Sequence, residues 1–69
     1  MDWISIEDRW PQYVAAAKLQ WGKLSEQQIA GTRGRRLYLV KRVQEAYGMS
    51  SADAERQVTE WQSRQVARS

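Results

Sequence analysis

An all-α fold is predicted by three features of this chain. Serines stand three residues ahead of an acid or an amide at "SIED" (Ser5–Asp8), "SEQQ" (Ser25–Gln28) and "SSAD" (Ser50–Asp53). That spacing lets a hydroxyl cap the first turn of a helix while the later side chain reaches back. Apolar residues recur at spacings of three and four, as they do along one helix face. Two aromatic-glycine pairs, Trp21-Gly22 and Tyr47-Gly48, close helical runs shortly before the next serine. No stretch alternates apolar and polar residues as a half-buried strand would, and no tract is of low complexity.

The first element is set by a proline. Pro11 lacks an N–H and crowds the carbonyl four residues back, so a helix starting at Ser5 is interrupted there. Two outcomes are open: a helix starting near Trp10 with Pro11 at its first position, or a short turn over 6–10 ahead of it. A helix over about 11–21 with a looser turn before it is the expectation. Trp10, Val14, Ala17 and Trp21 fall within about a 60° arc of that helix, which marks its core face.

Ser25 opens a short second run that meets "GTRG", Gly31 to Gly34, where two glycines predict a break or kink. From Arg35 to Tyr47 the period is helical again. Leu39, Val40, Val43 and Tyr47 make a broad apolar face, with Leu37 at one margin, as on a central helix touching more than one neighbour. Ser50 opens the last helix, expected over about 51–65, which turns Ala54, Val58 and Trp61 inward. At each joint, glycine suits the left-handed conformation in which helices often end, so Gly22 and Gly48 read as terminators. Met49 would cover the turn behind Gly48, and Leu24 would do so behind Gly22. The expected core and caps are thus Trp10, Val14, Trp21, Gly22, Ser25, Val40, Val43, Tyr47, Gly48, Ser50, Val58 and Trp61.

Size and composition narrow the functional classes. A chain of 69 residues with no cysteine and no histidine has no disulfide and none of the usual donors for transition metals. Its core must be thin, and four tryptophans with three tyrosines substitute for size, each able to bury roughly 150–250 Å². No apolar run approaches the roughly 20 residues of a membrane span. The start "MDWISIEDRW" is acidic rather than a basic flank ahead of an apolar stretch. One domain over 1–69, in a cytoplasmic monomer, is the expectation.

Three segments, "WPQYVAAAKLQWGKLSEQQI", "GRRLYLVKRVQEAYG" and "AERQVTEWQSR", together resemble the CsbD-like family of small bacterial general-stress proteins, without a gap from about Ile6 to Arg64. The matched positions are Trp10, then Trp21, Gly22, Lys23, Leu24 and Ser25, then Gly34 with Arg35 and Arg36, then Leu39 and Val40. Arg42, Val43, Gln44, Glu45, Tyr47 and Gly48 follow, with Ala54, Glu55 and Val58 in the last segment. Ala15 and Lys41 stand where that family tends to have glycine, and Pro11 where it has a basic residue. The resemblance implies a bundle of three to four short helices, as two helical hairpins packed across each other. It also implies a cytoplasmic product tied to bacterial stress. It brings no established catalytic or binding residues. Residues 65–69 lie beyond it and are expected to fray; Trp3, also outside, either folds over the bundle or stands exposed.

Enzymatic chemistry is not expected. The carboxylates scatter over exposed faces and first turns, "GTRG" is not a phosphate-cradling loop, and no cofactor is implied. The one directional feature is charge. Residues 31–45 carry Arg33, Arg35, Arg36, Lys41 and Arg42 against Glu45 alone within a chain of net charge +3. Arg35, Tyr38 and Arg42 share a helix face at spacings of 3 and 4. Arg33, Arg35, Tyr38, Lys41 and Arg42 are therefore candidate contacts to nucleic acid or another anion, with "GTRG" as a loose backbone able to adapt to phosphates. Such contacts would be weak and salt-sensitive. The plainer reading is a solvated face that keeps a tryptophan-rich bundle soluble. An acidic protein or an anionic membrane surface would suit the same stripe. Arg36 is expected to lay its stem across the core edge. A stacking site for single strands made from Trp21 and Lys23 is outweighed by the position of Trp21 on the core face.

Overall fold

A computed structural model describes residues 3–67, with the side chains of 66 and 67 left undescribed. Among these residues the chain is helical, with no strand: α1 (Trp3–Asp8), α2 (Trp10–Gln20), α3 (Glu26–Gly31), α4 (Arg36–Tyr47) and α5 (Ser51–Ala67). The all-α expectation holds, but there are five helices rather than three or four. The segment before Pro11 is a short helix, not a loose turn, and Ser5 lies inside it instead of capping it. The break falls at Arg9 (φ −112°, ψ 27°), and α2 starts at Trp10 with Pro11 in its first turn, where its missing N–H costs nothing. Helix α5 runs past the expected end to Ala67, so residues 65–67 belong to it; the last two of the expected frayed tail lie outside the described residues.

The second and third caps form as the spacing predicts. Ser25 Oγ accepts from the Gln28 N–H at 3.1 Å, and the Gln28 side chain accepts from the Ser25 N–H at 2.9 Å. Ser50 Oγ accepts from the Asp53 N–H at 3.2 Å. Gly48 ends α4 in the left-handed conformation (φ 61°, ψ 36°), and the Met49 N–H reaches back to the Gln44 carbonyl. Gly22 does not act this way. Helix α2 ends at Trp21 (φ −121°, ψ 77°), and Gly22 has no positive φ. The Trp21 N–H closes the helix on the Ala17 carbonyl, and Lys18 braces the turn that follows: its Nζ donates to Gly22 O at 2.9 Å and Leu24 O at 2.8 Å. As the basic residue of the last turn, Lys18 also complements the helix dipole.

The core gathers Ile6, Trp10, Ala17, Trp21, Leu24, Ile29, Leu39, Val40, Val43, Ala54, Val58 and Trp61. Val14 and Tyr47 are half-buried against it rather than enclosed, as are Trp3, Tyr13 and Met49. Trp61 is the hub. Its ring centroid lies 5.5 Å from that of Trp21, 6.0 Å from Trp3, 6.1 Å from Trp10 and 6.1 Å from Tyr13, within the range of favourable aromatic pairs. Trp3 folds over the bundle. Helix α4 packs along α5, and α2 along α3, with α1 laid against α2.

The "GTRG" link is fastened rather than loose. Thr32 is buried; its Oγ1 donates to the Ile29 carbonyl at 2.7 Å and accepts from the Gly34 N–H at 3.4 Å. Arg33 and Gly34 both have positive φ, 55° and 76°. A Cβ on Gly34 would stand 3.0 Å from both Glu7 Cα and Trp10 Cβ. The Gly34 carbonyl accepts from Trp3 Nε1 at 2.6 Å. Glycine is needed here because two helices come against its backbone.

Candidate functional site

Helix α4 turns Leu39, Val40 and Val43 into the core, so its opposite side carries the candidate cations. Arg35 precedes the first turn with extended backbone (φ −76°, ψ 120°) and no side-chain cap. Its guanidinium carbon lies 5.9 Å from the centroid of the Tyr38 ring, within cation–π range. Arg42 faces Glu45 one turn on, Nη1 to Oε1 at 3.8 Å. Arg33 and Lys41 are exposed. Arg33, Arg35 and Lys41 have no carboxylate at ion-pair distance among the described residues. Arg36 does what its margin position implies: it reaches α5, donating to Thr59 Oγ1 at 2.8 Å and standing 3.8 Å from Glu55 Oε1.

Beside this face runs a groove of about 390 Å³ lined by Gly31, Tyr38, Lys41, Arg42 and Glu45. A second groove shares Arg42 and Glu45 and extends towards Lys23 and Gln28. The structure thus brings Tyr38, Lys41 and Arg42 onto one groove, with Arg35 beside the Tyr38 ring and Arg33 on the preceding loop. The feature that the sequence pattern concealed is Leu37. Its position at the margin of the apolar face suggests partial cover, yet it is 72% exposed, beside Tyr38 at 54%. A margin residue is buried only if a neighbouring helix covers that side.

The aromatic-cation alternative at the first joint has no accessible ring. Trp21 is enclosed, and its Nε1 donates to Gln57 Oε1 at 3.0 Å. Lys23 Nζ instead lies 5.1 Å from the centroid of the Tyr47 ring. Trp10 Nε1 donates to the Ile29 carbonyl at 3.0 Å. The indole N–H groups of Trp3, Trp10 and Trp21 are therefore committed inside the protein. Among the described residues, no three carboxylates come together where they could hold a metal ion, and no helix is long and apolar enough to cross a membrane.

No family profile and no solved structure matches the chain. Curated relatives do. A UPF0337 protein of Pectobacterium atrosepticum is 42% identical over 53 residues, 77% of each chain. The UPF0337 protein YjbJ of Escherichia coli is 38% identical over 55 residues, 80% of each chain. A UPF0337 protein of Rhodopseudomonas palustris is 34% identical over 61 residues, 88% of this chain and 92% of its own. Identity at this level over most of both partners, from a helical chain built on the motifs above, places this protein in the UPF0337 family.

Proposed function

We propose that this protein is a small, non-enzymatic stress-response protein of the CsbD-like kind, a cytoplasmic monomer that acts by binding or by abundance. The observation that carries the reading is the long match to UPF0337 relatives, taken with the segments that resemble the CsbD-like family. The commitment of the tryptophans to packing and internal hydrogen bonds supports it, because it assigns the aromatic residues a structural role. In this reading the chain is one domain over 1–69, with α2–α3 and α4–α5 as two helical hairpins packed across each other. Sequence-independent binding of nucleic acid by Arg33, Arg35, Tyr38, Lys41 and Arg42 has less support, since Arg42 is paired with Glu45.

Quantitative immunoblotting of the native host through stationary phase and osmotic shock tests the stress role. A rise of severalfold is expected, and an unchanged level under every stress would sink it.

A further inference from the structure

We propose that the exposed face at the start of α4 docks on an anionic lipid bilayer. This names a partner class for the binding reading above and rests on it. Two side chains carry the apolar part: Leu37, 72% exposed, and Tyr38, 54% exposed. Around them stand Arg33, Arg35 and Lys41, none with a carboxylate at ion-pair distance among the described residues. The first two cations sit on a fastened backbone. The link that bears Arg33 is tied by Thr32, Gly34 and Trp3, so the backbone from which these side chains extend is held in place.

A partner for this face must take an apolar side chain and several cations together. An anionic bilayer does both, because its phosphates lie directly above acyl chains. Leucine can reach below the headgroups while tyrosine and arginine stay level with them. A nucleic acid offers phosphates and a base to stack on Tyr38, but it leaves Leu37 in water. The inner face of α4 stays with the core, so docking is peripheral and needs no unfolding. Leu19, exposed to 88% on α2, lacks this frame: the adjacent Lys18 is committed to the carbonyls of Gly22 and Leu24.

The test is co-sedimentation of the full chain with vesicles of phosphatidylglycerol and phosphatidylcholine in equal parts, with phosphatidylcholine vesicles alone, and with a short DNA duplex as competitor. Anionic vesicles are expected to bind at least about tenfold more tightly than neutral ones, with measurable binding left at about 0.15 M salt. Leu37→Ser is expected to weaken that binding about tenfold, and Arg35→Gln about fivefold. Both positions are exposed, so far-UV circular dichroism of each variant should match the parent. Equal binding to neutral vesicles, full affinity in Leu37→Ser, or tighter binding to the duplex than to vesicles would overturn the proposal. None of these results bears on whether the protein accumulates under stress, so the two readings can fail separately.

Discussion

Gly34 and Gly22 look alike in the chain, each a glycine beside a cation after a helical run, yet they answer to different constraints. Gly34 has φ 76° and is pressed by Glu7 and Trp10. Gly34→Ala is expected to cost about 2–3 kcal/mol, combining left-handed strain with a backbone clash. Gly22 has open space where a Cβ would go and no positive φ, so Gly22→Ala should fall within about 0.5 kcal/mol of the parent. Urea unfolding of both variants checks the pair, and equal costs would contradict this account. Local pattern reveals a glycine at a helix end, but the pressure on Gly34 comes from residues more than twenty positions away and leaves no local mark. The same holds for Trp3, whose docking depends on the Gly34 carbonyl. Trp3→Phe should lose about 1 kcal/mol through that hydrogen bond, measured by the same unfolding curves.

Among the elements, those with both a cap and a periodic face were legible: α3 from Ser25, α4 to Gly48, and the start of α5 at Ser50. Ser25→Ala removes one half of a reciprocal pair and should cost about 1 kcal/mol in thermal or urea unfolding. Helix α1 was not legible. It is six residues long, and a segment of that length is not stable alone. It is held by the burial of Ile6 and by the packing of Trp3 on Trp10 and Trp61, which are tertiary facts. The end of α2 departs from expectation for a related reason: the turn after it is braced by Lys18, through the carbonyls of Gly22 and Leu24, and not by a left-handed glycine. The candidate cations were legible because an exposed charge needs only a helix face to be placed, whereas the exposure of Leu37 depends on which neighbours are missing beside it.

For the molecule as a whole, stability concentrates on one ring. A domain of this length has roughly 3–10 kcal/mol in hand, and truncating a buried tryptophan costs about 3–5 kcal/mol. Trp61 is 2% exposed and touches Trp3, Trp10, Tyr13 and Trp21. Trp61→Ala should therefore leave much of the population unfolded at room temperature, seen as lost helical circular dichroism, while Trp61→Phe keeps the helices. A stable, cooperatively folded Trp61→Ala variant would show that the core is shared more evenly than its geometry implies. The composition did point to an aromatic core; it could not say that one residue of the last helix joins residues from α1, α2 and the turn after α2.

The same cluster shapes how the protein handles light. Its four indoles form an unbroken chain of neighbours, Trp3 to Trp10 at 6.2 Å, both to Trp61, and Trp61 to Trp21 at 5.5 Å. At such separations the transition dipoles of neighbouring rings are close enough to couple, so excitation energy is expected to pass between them before emission. The emission is then expected to be a shared signal of low anisotropy that responds when any single link is loosened. Replacing one tryptophan would redistribute the spectrum rather than subtract a quarter of it, which makes intrinsic fluorescence a monitor of the whole packing and a poor reporter of any one site.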